Sequence, residues 1–151
     1  LTQFDRDCME KALDAAKKSA ILNESPIGVV IAHGEDIIAT AHNLKEKTKD
    51  ARSHAEVNAI KKASEILGDW RLTECTLYST LEPCPMCMGM ILHSRIKRLV
   101  YMALDHRWGA CGSVVDLSKK GLFNHTVDVL YSPDERSSHL LSSFFKEKRK
   151  K

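Results

Sequence analysis

The chain has 151 residues, 43% hydrophobic and 28% charged, which is enough apolar material for one core without disulfide staples. Its net charge is +3, and Glu147, Lys148, Arg149, Lys150 and Lys151 account for all of it, so a generally polycationic protein is excluded. Cys8, Cys75, Cys84, Cys87 and Cys111 are odd in number and irregularly spaced, which argues against a secreted disulfide scaffold.

The N-terminus opens on a polar, helix-like stretch over 2–18 and not on a secretory signal. No apolar run approaches the length of a membrane span. The expectation is a single domain over residues 1–151, away from membranes, in the reducing cytoplasm.

In chain order, Met9, Leu13, Ala16 and Ala20 recur at helical spacing, which predicts an amphipathic helix over 4–22. Pro26 lies just beyond its end. Two apolar β-branched runs, 27–32 and 37–41, flank the turn His33-Gly34-Glu35-Asp36 and predict a hairpin. Residues 43–52 read as a polar loop carrying Lys45, Lys47, Lys49 and Arg52. Ser53 then has the chemistry of an N-cap for a helix running to Leu67 and stopped by Gly68. A third strand is expected over 76–80, a second long helix over 83–93 entered through prolines, and a fourth strand over 98–102. A short fifth strand follows over 126–130. Ser132-Pro133-Asp134-Glu135 has a capping-box pattern and opens a last helix ending near Phe145. This order predicts an α/β protein of three layers, α/β/α, with one five-stranded mixed sheet: the hairpin antiparallel, the later strands parallel.

Two segments carry chemistry: Ser53-His54-Ala55-Glu56 and Glu82-Pro83-Cys84-Pro85-Met86-Cys87. Each opens a predicted helix, and such ends converge on one edge of an open α/β sheet. His-x-Glu followed by Pro-Cys-x-x-Cys is a zinc deaminase signature. His54, Cys84 and Cys87 make a three-donor set, which leaves the fourth zinc position for water. A zinc-activated water attacks the amine-bearing carbon of a base, and one nearby carboxylate moves the protons; Glu56 takes that role. Plainer readings exist. Ser53-x-x-Glu56 is also a capping box. Cys-x-x-Cys also serves redox pairs and structural zinc sites, for which Cys75 or Cys111 would have to supply a fourth donor.

These motifs, with Glu24-Ser25-Pro26-Ile27-Gly28, His42-Asn43, His93-Ser94-Arg95-Ile96, Gly109-Ala110-Cys111-Gly112-Ser113 and Ser143-Phe144-Phe145-Lys146, resemble the bacterial tRNA-specific adenosine deaminases of the cytidine deaminase-like superfamily. The resemblance spans nearly the whole chain and implies that fold, one Zn2+ per chain and a homodimer with sites near the interface. It implies hydrolytic conversion of the wobble adenosine of a tRNA anticodon loop to inosine with release of ammonia, an arginine tRNA being the expected partner. It also implies that Asn43 bonds the nucleoside and that Val29, Ala55 and Leu81 line the base pocket. Asp105 would sit beside flanking nucleotides, and Phe144, Phe145 and Lys146 would touch RNA. Ser53, Met88, Met90 and the bulky His106-Arg107-Trp108 depart from the usual pattern, which bears on the bases that flank the target. The competing expectations are a zinc deaminase of free guanine, cytosine or cytidine, and a non-catalytic zinc-stabilised RNA-binding module.

Overall fold

A computed structural model describes residues 1–150. The first helix, α1 (Gln3–Ile21), begins in a capping box: the Thr2 hydroxyl accepts from Asp5 N–H and the Asp5 carboxylate accepts from Thr2 N–H, each at 3.0 Å. The hairpin is β1 (Gly28–His33) and β2 (Asp36–His42). A four-residue helix, α2 (Lys45–Thr48), interrupts what reads in sequence as plain loop. Then come α3 (Ala55–Leu67), β3 (Cys75–Ser79), α4 (Pro85–His93), β4 (Arg98–Tyr101), β5 (Asp128–Tyr131) and α5 (Glu135–Lys150).

The five strands form one sheet in the order β2-β1-β3-β4-β5. β1 pairs antiparallel with both β2 and β3, whereas β3–β4 and β4–β5 are parallel, so the sheet is mixed as expected. β1 is interior, and its first five residues are all buried because both of its faces are covered. Alternate side chains divide the core. Val29 and Ile31 pack with Ala59, Ile60 and Ile91 of α3 and α4. Val30 and Ala32 pack with Cys8, Ala12 and Leu13 of α1, joined by Leu140 of α5. That is the three-layer arrangement.

Gly28 is fixed by close approach: a Cβ there would collide with Ala12 O and Ala16 N of the α1 backbone. Gly68 ends α3 in the left-handed conformation, φ 66°, as its sequence position predicts.

Several boundaries differ from expectation: α4 begins at Pro85 instead of 83 and β5 at Asp128 instead of 126, and the ends of two other helices differ for identifiable reasons. His54, not Ser53, occupies the α3 N-cap; the Ser53 hydroxyl turns instead to Asn58 Oδ1 at 3.3 Å. The last helix starts after Asp134, whose carboxylate accepts from Arg136 N–H at 3.0 Å, while Ser132 N–H is spent on Tyr101 O. It also runs past Phe145, since Lys146, Glu147, Lys148 and Arg149 are good helix formers and basic residues suit a helix C-terminus. No helix among the described residues is long and apolar enough to cross a membrane.

Candidate metal centre

β3 runs toward the edge from which α4 departs, and β2, antiparallel to β1, ends at the same edge before α3 begins. The N-termini of α3 and α4 therefore meet there. His54 caps α3, and Cys84 caps α4 with Pro85 in the first helical turn. Cys87 lies three residues on, so both sulfurs face His54.

The Cys84 sulfur is 3.7 Å and the Cys87 sulfur 3.5 Å from His54 Nδ1. Tetrahedral zinc with ordinary Zn–S and Zn–N bonds requires an S···N separation of about 3.6 Å. The donor set thus fits the ion in both chemistry and spacing. Among the described residues this is the one such group, its donor atoms all within 4.8 Å of one another. Neither Cys75 nor Cys111 joins it. Cys75 is buried in β3, and the Cys111 sulfur contacts Met88 Sδ at 3.4 Å. Among the described residues a closed four-donor structural site has no fourth protein ligand.

The electrostatics of the cluster are asymmetric. A hydrogen bond from the Cys87 thiol, reinforced by His54, outweighs burial and pulls the Cys84 thiol down to about 4. The same bond and burial push Cys87 strongly up. Two sulfurs facing each other share one proton until a cation displaces it. The His54 imidazole is held more basic than usual by Cys84, against the opposing effect of burial.

Glu56, in the first turn of α3, is 4% exposed and interacts with Cys87. Burial is the main force on its carboxyl and, with the Cys84 charge, raises it from 4.5 to about 7. The capping box that Ser53 and Glu56 could have formed is absent, which leaves this carboxylate aimed at the cluster.

The other residues singled out in the sequence are distributed more widely. Val29 and Ala55 are fully buried, Leu81 is half-buried, and Asn43 is buried with Oδ1 accepting from Lys45 N–H at 3.3 Å. The Asp105 carboxylate accepts from Arg107 and Trp108 N–H at 3.0 and 3.1 Å. Phe144, half-buried, lines a groove with Ala20 and Asn23; Phe145 and Lys146 are exposed on α5. Sequence reasoning missed two buried carboxylates that organise the neighbouring loops. Glu24 accepts from Glu46 and Lys47 N–H, at 2.9 and 2.7 Å, at the start of α2. Glu82 gathers the loop after β4. Glu82 lies between Leu81 and Pro83, which hints at burial, whereas Glu24 lies between the polar Asn23 and Ser25 and has no such signal.

An α/β sheet that brings His-x-Glu and Cys-x-x-Cys to one edge defines a zinc-dependent deaminase, and the family model of the cytidine and deoxycytidylate deaminase zinc-binding region matches residues 2–103. The tRNA-specific adenosine deaminase of Bacillus subtilis (strain 168) is 42% identical over 95% of this chain and 89% of its own length. A structure solved in a study of A-to-I editing by tRNA:A34 deaminases superposes with a TM-score of 0.86 at 36% identity, over 90% of this chain and 99% of that one. The guanine deaminase of Bacillus subtilis superposes with a TM-score of 0.66 at 30% identity, over 100% and 96%. The chain belongs to the bacterial tRNA-specific adenosine deaminases.

Proposed function

We propose that this protein, as a single domain over residues 1–151, deaminates the wobble adenosine of a tRNA anticodon loop to inosine and releases ammonia. The observation that carries the reading is the buried Glu56 carboxylate beside a three-donor cluster with no fourth ligand among the described residues. His54, Cys84 and Cys87 hold one Zn2+ per chain. When bound, that ion supplies a Lewis acid able to bring the pKa of water to about 7.

The protein's own groups do the rest. Glu56 accepts a proton from the attacking water and delivers it to the ring nitrogen beside the reacting carbon; it then takes the second proton, from the hydroxyl now on that carbon, and passes it to the departing amine as the carbonyl forms. A carboxyl poised near neutrality suits both directions of transfer. Asn43 orients the nucleoside, and Val29, Ala55 and Leu81 shape the base pocket. Asp105, Phe144, Phe145 and Lys146 meet the RNA outside the target base. An anticodon loop presents its bases already unstacked, which spares the cost of opening a duplex. The relatives named for tRNA support an RNA substrate, and an arginine tRNA, a homodimer and a cytoplasmic location go with that reading.

Free guanine is the competing substrate, favoured by the likeness to the Bacillus subtilis guanine deaminase. That likeness is the weaker one, with a TM-score of 0.66 against 0.86. Ammonia release measured with tRNA, guanine, cytosine and cytidine separates the two. Turnover with tRNA alone supports the proposal, and turnover confined to the small molecules overturns it.

A further inference from the structure

Glu82 is 2% exposed, next to the metal-ligand turn, and has no role in the chemistry described above. Its carboxylate makes no ion pair among the described residues and is satisfied by one loop alone. Oε1 accepts from Asp105 N–H at 3.1 Å and from the Ser113 hydroxyl at 2.5 Å. Oε2 accepts from Cys111 N–H at 2.9 Å and Ser113 N–H at 3.2 Å. Burying a carboxylate is costly unless its lone pairs are filled, and here four donors fill them. Gly109 belongs to the same arrangement, because a Cβ there would collide with the Glu82 carboxyl and Asp105 O.

The loop is also tied to the metal-ligand turn itself. Ala110 N–H donates to Pro83 O at 2.9 Å, and Glu82 N–H to Ala103 O at 2.9 Å. Its tip, His106, Arg107 and Trp108, is exposed, with Trp108 at 65%. The side chains of Arg107 and Trp108 make no hydrogen bond or ion pair among the described residues, yet Asp105 fixes their backbone. A hydrogen-bonded loop, tied to the metal-ligand turn, that displays an unengaged indole and guanidinium has the chemistry to stack a base and meet a phosphate.

We propose that Glu82 is a positioning residue: its buried carboxylate clamps the 105–113 loop so that Trp108 and Arg107 hold the nucleotide next to the target base. This rests on the RNA reading above and adds the specificity device to it. Glutamine cannot replace the clamp, since its amide group would face donors at one of the two oxygen positions in either orientation.

The test compares wild type, Glu82→Gln, Trp108→Ala and the double variant on an anticodon stem-loop, with zinc content and amide hydrogen exchange measured on each purified protein. Glu82→Gln is expected to raise KM about tenfold, the scale of one lost base stack, while kcat moves less and zinc stays at one per chain. Trp108→Ala should raise KM alike, and the double variant should add little, because both remove one interaction. The Asp105, Cys111 and Ser113 amides should exchange faster in Glu82→Gln. Gly109→Ala, which displaces the carboxyl without removing it, should show the same KM rise. An unchanged KM, additive losses, or a main effect on zinc content would overturn the proposal. Wild type inactive on RNA but active on free bases would instead overturn the RNA reading, and the proposal with it.

Discussion

Glu56→Gln separates the chemical role of this residue from any structural one. The change keeps the shape and removes the ionisable proton. The folded carboxyl is raised from 4.5 to about 7, chiefly by burial, so ionised Glu56 opposes folding. Below about pH 4.5 the group is neutral in both states and contributes no difference. Between 4.5 and 7 the unfolded chain ionises first, the folded state binds more protons, and stability falls as pH rises. Above 7 the cost is complete, about 3 kcal/mol at 1.36 kcal/mol per unit. A buried amide forfeits part of that gain, leaving about 1–2 kcal/mol. Urea unfolding of chelator-treated protein at pH 5 and pH 8 should therefore show Glu56→Gln stabilised at pH 8 and close to wild type at pH 5. With zinc restored, turnover should drop about a thousandfold while the metal stays bound. Retained turnover, lost zinc or a stability gain indifferent to pH would refute the reasoning.

The thiols offer an independent check on the donor set. In chelated protein at pH 7, iodoacetamide should modify Cys84, pulled down to about 4, ahead of Cys8, Cys75 and Cys111, which burial pushes up to about 11, 11 and 12. Zinc should block that labelling, and peptide mapping that finds Cys84 equally labelled with zinc present would remove it from the set. Gly28→Ala should cost about 3 kcal/mol in urea unfolding, because α1 must lift from β1 to admit the methyl group. Burial lifts Asp5, but Arg98 at 2.8 Å and Tyr78 at 2.5 Å outweigh it and hold the carboxyl well below the usual carboxylate range. Its contribution is complete above about pH 3.8 and shrinks steadily as pH falls below that, so Asp5→Asn should lose about 2 kcal/mol at pH 7 and clearly less, though still a measurable amount, at pH 2.

The sequence made the periodic and punctuated parts legible. α1, the hairpin, α3 with its Gly68 stop, and α4 behind its prolines each declare themselves through local chemistry. The donor cluster was legible for the same reason, because His54, Cys84 and Cys87 sit at helix starts that an α/β sheet must bring to one edge. Boundaries were less so. Ser53 has the chemistry of a cap, yet tertiary contacts direct its hydroxyl to Asn58 and give His54 the position. α2 was illegible because its support comes from Glu24, more than twenty residues earlier in the chain. Glu82 was missed likewise, since its partners lie in a loop on the far side of β4. Buried carboxylates that organise distant backbone leave no periodic trace.

The most direct test of the account is to incubate unmodified tRNA with the purified, zinc-loaded protein and identify the base at the wobble position. Inosine is expected at that position with wild type, formed about a thousandfold more slowly with Glu56→Gln. A wobble adenosine left intact by active, zinc-bound protein would contradict it.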